Sequence, residues 1–419
     1  MSSHFPEPSR RALLGGAIAS AAALVAPPLA AQNLRAVLDG LGEVHDYARR
    51  LATLADMTAT GESAAIDLDT IRKGLRTDAM LETLHPSERK LPWALTLPAD
   101  ALGIWQLPHG AAIYALLLDR QLGESMSPAE AHRLLQSEVA QLAARADRGF
   151  RALGMAKGSI GDRFRALWQD PGFLYSDDDA GRDRAVSDMN ATLAAIRPRL
   201  AAHFAALPDV NVERMPRAEE ATGKQGYRRL PGPGSVGAYV VDLREIRRRP
   251  RWSLTGVVHH ELLPGHMIQL PIEAAADPHP LRLAYLPAFA EGWAIHAEQW
   301  AHELIGTDDV RTELGHVHWL LFRALRGLID TGIHHERWSR SKAHETLERI
   351  QGEPAYFAPF ATDIDRVNRD PGVRAAEALI WLRLRELARR FGGATGERRF
   401  HAIVLGHGRQ RIDRIARQI

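Results

Sequence analysis

Long, capped helical stripes constrain this chain more than any other feature. Ser127-Pro128-Ala129-Glu130 reads as a capping box with proline at the first helical position. Behind it Leu135, Val139, Leu142, Ala146 and Leu153 recur at helical spacing, and Gly154 can end the run. A second helix is expected from about Ala185 to Ala206, stopping before Pro208. Ser339 can cap another that ends near Gly352. Asp370-Pro371 opens a long one that Gly392-Gly393 closes, after a turn at Asp363–Asn368. Only Gly237–Leu243 reads as a good strand, and Asp209–Pro233 reads as loop. Without a fixed-period repeat or a clear linker, the expectation is a mainly α chain: one large helical domain with a small β element.

Composition narrows the chemistry. The 419 residues carry 53 Lys plus Arg against 51 Asp plus Glu, and a dedicated nucleic-acid binder would show a basic excess. The strongest basic block, Arg247-Arg248-Arg249-Pro250-Arg251, reads as a solvated turn or, more sharply, as a rim for anionic groups. Cysteine is absent, which removes disulfides, thiolate metal sites and a cysteine nucleophile. Any metal must be held by His, Asp or Glu. Eleven of the 19 histidines fall between His259 and His344.

The first 31 residues read as an export signal. Ser9-Arg10-Arg11-Ala12-Leu13-Leu14 is a twin-arginine pattern, an uncharged stretch runs from Ala12 to Ala31, and Leu29-Ala30-Ala31-Gln32 offers a cleavage point. The alternative is an uncleaved anchor, which Gly15, Gly16, Pro27 and Pro28 disfavour. The expected partner is the twin-arginine machinery and the expected location periplasmic or secreted. Residues 32–419 then form the helical domain, with no further span.

The central segment is His259-His260-Glu261-Leu262-Leu263-Pro264-Gly265-His266. It approaches the zinc-peptidase pattern H-E-x-x-H, where two histidines one turn apart bind the ion and the glutamate is the base. Here the second histidine stands at i+6. On a regular helix that is about 600° of rotation and about 9 Å of rise, too far for one ion. Pro264-Gly265 permits a bulge that absorbs two residues and returns His266 to His260. Spacing alone leaves helix-end histidines equally open.

A second piece follows at Phe289–Glu298. Ala290, Trp293, Ala294, Ala297, Trp300, Ala301 and Leu304 form an apolar helix stripe, and Glu291, Ile295, Glu298 and His302 share another face. That face is either a solvated acidic one or functional. In the functional reading Glu291 completes a two-histidine, one-carboxylate set with a coordination position left open, and Glu298 orients a ligand from behind.

These residues resemble the bacterial family known as domain of unknown function 885. The resemblance rests on His260-Glu261-Leu262-Leu263-Pro264-Gly265-His266-Met267, on Glu291-Gly292-Trp293-Ala294-Ile295-His296-Ala297-Glu298 and on Asp330-Thr331-Gly332-Ile333-His334. Weaker likeness continues through Asp170-Pro171-Gly172-Phe173 and Trp338-Ser339-Arg340. The family is similar to helical gluzincin peptidases. It implies an all-α fold with a central cleft, His260 and His266 as zinc ligands, Glu291 as third ligand and Glu261 as base. Met267 and His296 depart from its pattern, which carries His and Tyr there.

The expected activity is a zinc-dependent hydrolase, a peptidase with metal-activated water and Glu261 as general base. The substrate would be a peptide or another small amide or ester. His334 and Tyr239 are candidate oxyanion donors. Arg323 and Arg326, at i, i+3 spacing, could bind a substrate carboxylate or form structural ion pairs. Two alternatives stand: a non-haem iron oxidoreductase on the same ligand set, with Fe2+ in place of Zn2+, and a non-catalytic binding protein on the same scaffold.

Overall fold

The computed structural model describes residues 29–87, 91–98, 100–232, 234–355 and 359–419. The expected export signal lies outside the described residues up to position 28, and its last three residues open a helix, Leu29–Gly40. Among the described residues no helix is long and apolar enough to cross a membrane.

The helices that position the site are α1 (Glu62–Leu84), α2 (Gly110–Leu122), α3 (Pro128–Ala152) and α4 (Asp179–Leu200). A sheet follows: β1 (Val210–Arg214), β2 (Tyr227–Arg229) and β3 (Gly237–Val241). After it come α5 (Leu254–Glu261), α6 (His266–Ala276), α7 (Phe289–Ile305), α8 (Val310–His334) and α9 (Val373–Ala388). The mainly α expectation holds.

Helix α8 is the axis of the molecule. Asp309 caps it by accepting from the Arg311 and Thr312 amides, and every residue from Leu314 to His334 is buried. A helix buried all round needs neighbours on all sides. It has them in α3, α5 and α9, together with the helices Arg340–Ile350 and Phe360–Arg369. A second apolar cluster lies towards the N-terminus, where Ile71 and Leu75 of α1 meet Ile113, Tyr114 and Leu117 of α2. Each such leucine or isoleucine contributes about 1.5–3 kcal/mol when fully buried.

Glycines set the closest approaches. A Cβ on Gly292 of α7 would stand 2.4 Å from the Ile380 side chain of α9. On Gly327 of α8 it would stand 3.1 Å from Ala378 of the same helix. Their bare backbones let α9 lie against both helices.

Several sequence expectations require correction. Helix α4 starts six residues before Ala185 and ends at Leu200 rather than Ala206, because Asp178 caps it by accepting from the Gly181 amide. The presumed loop Asp209–Pro233 supplies two of the three strands: β1 pairs parallel with β3 and β2 antiparallel. Strand β1 is short and carries polar residues between its valines, so composition concealed it. Asn190 of α4 binds its edge, donating to Val212 O at 3.0 Å and accepting from Val212 N at 2.9 Å. Asp363–Asn368 is not a turn but part of the helix Phe360–Arg369. The basic block is a partly solvated turn: Arg247 and Arg251 are exposed, with Arg247 donating to Tyr175 O and Arg251 over the Tyr175 ring, whereas Arg249 is buried.

Candidate metal centre

Helix α5 ends at Glu261, and the next four residues make the departure that Pro264-Gly265 suggested. The Leu263–Pro264 peptide is cis. The Gly265 amide donates back to His259 O at 3.0 Å, and the Met267 amide to Leu262 O at 3.1 Å. A Cβ on Gly265 would fall 1.9 Å from His260 O, so only glycine fits this fold-back. Trp293 of α7 donates its indole N–H to Gly265 O at 3.3 Å and ties the turn to the neighbouring helix. His266 thus becomes the first residue of α6, and its ring centre lies 5.0 Å from that of His260.

Glu291, in the first turn of α7, meets both rings. Its two oxygens lie 3.3 Å from His260 Nε2 and 3.3 Å from His266 Nε2. One donor atom from each of the three residues lies within 4.8 Å of the others. His266 has neither ring nitrogen in a hydrogen bond although both are buried. Two imidazole nitrogens and a carboxylate, with a buried orphan among them, fit a divalent ion of the zinc or ferrous kind. Behind His260, Glu298 Oε2 stands 3.4 Å from Nδ1, two turns along α7 from Glu291.

Burial acts to raise the Glu291 carboxyl, but the imidazoles of His260 and His266 beside its two oxygens outweigh that and hold it well below its ordinary value. Burial, followed by Arg228, pushes His266 down to about 4, so this imidazole is neutral near pH 7 and free to ligate. For His260, burial and Arg323 act downward, while Glu291 and Glu298 more than offset them and raise it.

Glu261 is fully placed by a residue the sequence reading missed. Arg228 of β2 donates to Glu261 Oε2. Burial would raise Glu261, but the nearby charges of Arg228, His260 and His266 hold it below its ordinary value and therefore ionised. Arg228 pairs in register with Tyr239 of β3, so the two side chains share one face of the sheet. This keeps Tyr239 beside the site. A hairpin reading of Tyr227–Arg229 and Gly237–Val241, with Gly232 and Gly234 between them, is the signal that could have found Arg228.

The other expected residues divide. Arg323 of α8 reaches the centre: its Nη2 lies 3.2 Å from His260 Nε2 and its Nη1 3.9 Å from Glu291. It is a wall of the site rather than an open anion receptor. Arg326, one turn on, makes no hydrogen bond among the described residues. His334 is a correction. Its Nδ1 accepts from the Ile104 amide, its Nε2 faces Val367 O at 3.1 Å, and its ring stacks on Tyr114. Both nitrogens are spent on backbone, so no donor remains for an oxyanion.

The rest of that third motif is architectural too. Asp330 accepts from Tyr114 Oη and from the Gly372 and Ala375 amides, and Thr331 bonds His132. A Cβ on Gly332 would strike the Trp338 ring at 2.6 Å. The two departures from the family pattern also lie away from the donor cluster. Met267 is fully buried in the main core, and His296 packs among Trp293 and Phe400 with burial lowering it to about 3.

Among the described residues, the expected central cleft is no more than a small gap at this centre. His260, His266 and Glu261 are buried, while the side chains of Arg228 and Glu291 keep 27% and 31% exposure. Gly256, Val257 and Trp319 close the inner side.

A sequence model of the family described as "Bacterial protein of unknown function (DUF885)" matches residues 5–419. No curated protein matches the chain. A solved structure described as the "putative lipoprotein from Colwellia psychrerythraea" is 27% identical, with a TM-score of 0.68 over 92% of this chain and 68% of that one. A second, described as a "putative lipoprotein of unknown function from Shewanella oneidensis", is 16% identical, with a TM-score of 0.59 over 92% and 73%. The latter likeness is one of fold.

Proposed function

The chain belongs to the bacterial DUF885 family, and on that footing we propose that it is a metal-dependent hydrolase of the peptidase kind, akin to helical gluzincins. One observation carries the reading: three donor atoms of His260, His266 and Glu291 lie within 4.8 Å of one another, with Glu261 next in sequence to the first. These three residues would hold one ion, zinc by preference and ferrous iron as the alternative. Bound zinc would polarise a carbonyl and lower the pKa of water to about 7.

The residues of the chain do the rest. Glu261, held ionised by Arg228, takes a proton from the attacking water. The water oxygen adds to the carbonyl carbon, the C–N bond breaks, and Glu261 returns the proton to the leaving nitrogen. Glu298 fixes the orientation of His260. Tyr239 and Arg228, in register on one face of the sheet, would donate to the developing oxyanion.

The same reading extends to location. The twin-arginine pattern and the lipoprotein descriptions of the two solved relatives support export across the inner membrane. The domain would be residues 32–419.

The test combines metal analysis of the purified protein with digestion of a peptide library. We expect about one zinc per chain and cleavage that falls roughly 10²–10⁴-fold in Glu261→Gln. Stoichiometric iron with oxygen consumption would replace this reading by the iron oxidoreductase. Identical product profiles from both proteins would leave a binding protein.

A further inference from the structure

A polar group on a helix buried all round must find a partner or lose the bonds it made in water. The charged residues of α8 between Leu314 and His334 are Arg323, Arg326 and Asp330. Arg323 bonds His260, and Asp330 accepts three hydrogen bonds. Arg326 is the exception. It is 9% exposed, and its Nε is buried without a hydrogen bond. The nearest carboxylate oxygen, Asp363 Oδ1, stands 4.0 Å from that Nε.

Two other buried arginines of similar exposure are served differently: Arg120 donates to the Asp78 carboxylate, and Arg163 to that of Asp147 at 2.8 Å. Arg326 has the planar fork and no carboxylate in it. Its guanidinium is held by the Phe322 ring, 5.0 Å away, as that of Arg323 is at 4.9 Å. From α9, Arg374 approaches the same place. It donates to Glu377, and its Nε is likewise buried without a partner. Burial and then Arg374 bring Arg326 down to about 10, which still leaves it a cation at neutral pH.

Position gives this fork a meaning. Residues three apart on a helix share a face and are separated by about 4.5 Å along the axis. Arg323 touches His260, so Arg326 stands one turn from the donor cluster. On the open side, Glu291 and Arg374 keep 31% and 21% side-chain exposure. In a peptide, the carbonyl carbon of one residue and the next carboxyl carbon lie about 3–4 Å apart by bond lengths. By this spacing, a terminal carboxylate would face Arg326 when the preceding carbonyl sits at the cluster. An internal residue presents no carboxylate there and leaves the fork empty.

We infer that Arg326, with Arg374 beside it, receives the free α-carboxylate of the substrate, so that the bond cleaved is the last amide of an N-acyl amino acid or short peptide. The assignment to substrate rests on the hydrolase reading, whereas the anion subsite itself rests on the arginine geometry.

The experiment is calorimetric binding of N-benzoyl-phenylalanine and its primary amide to the full folded protein. The acid is expected to bind at least about tenfold more tightly than the amide. Arg326→Met should erase that preference with the melting temperature unchanged or raised, since an apolar side chain of similar volume relieves a buried charge. Equal affinities, binding of neither probe, or a preference that survives in Arg326→Met overturns the inference. If Arg326→Met fails to fold, Arg326→Lys decides: it keeps the charge and loses the fork, so a reduced preference supports the subsite and an unchanged one overturns it. The two readings separate cleanly. A protein that prefers the acid but cleaves no peptide loses the hydrolase reading and keeps the subsite. One that cleaves free and C-terminally amidated peptides alike keeps the hydrolase reading and loses the carboxylate assignment.

Discussion

Arg228 donates to Glu261 across 33 residues of sequence, joining an edge strand to the end of the helix that carries His260. The contact holds a buried carboxylate ionised and aims it. Arg228→Gln should therefore lower kcat/KM by about 10–100-fold. It should also cost about 1–3 kcal/mol of stability, because Glu261 is left with an uncompensated charge. Steady-state kinetics and urea melts of the same preparation measure both.

Glu298 is buried, 3.4 Å from His260 Nδ1, and faces no solvent. Replacing it with Gln keeps the shape and removes the charge. Zinc affinity, measured by chelator competition, should fall about 10–100-fold. Unchanged affinity would mean that Glu298 does not orient the ligand.

Gly265→Ala tests the fold-back. The added methyl would sit 1.9 Å from His260 O, so the turn must open. A loss of about 2–4 kcal/mol is expected, with zinc binding weakened together with stability. Retention of both in circular dichroism and metal titration would contradict the placement of His266.

His334→Ala tests the opposite assignment. Both of its nitrogens engage backbone and its ring stacks on Tyr114. Unfolding free energy should drop by about 2–4 kcal/mol, while kcat per folded molecule stays within about twofold of the parent.

The acid limb of stability should depend on Glu313. Burial acts to raise it, but bonds from His302 and Arg145 prevail and bring it down to about 2. A carboxyl lowered in the folded state stabilises the fold above its unfolded value, about 4.3. That contribution is lost as pH falls from there towards 2. Discounted for partial exposure it amounts to about 2 kcal/mol. Glu313→Gln should flatten the pH dependence in this window and leave the neutral-to-alkaline side unchanged, as followed by thermal melts.

The parts legible in the sequence were those governed by short-range rules. A capped stripe announced α3 and an apolar stripe α7, and Pro264-Gly265 within the i+6 spacing permitted the bend that sets His266 beside His260. Residues whose role depends on distant partners were hidden. Arg228 lay in a stretch whose mixed charge reads as loop, and only pairing with β3 makes it a strand facing Glu261. His334 looked functional because a histidine in a motif does, yet its partners Ile104 and Val367 lie 230 and 33 residues away. Arg326 was visible as a cation, but its lack of a hydrogen bond is a property of packing alone.

The proposed ligands and base occupy a single stretch from 260 to 291, whereas Arg326 and Arg374 come from two later helices, α8 and α9. The two sets can therefore drift at different rates. Exchanges on α8 and α9 would redirect which molecules are accepted and leave the reaction itself untouched, so descendants of one ancestor could keep a common chemistry and divide its substrates among them.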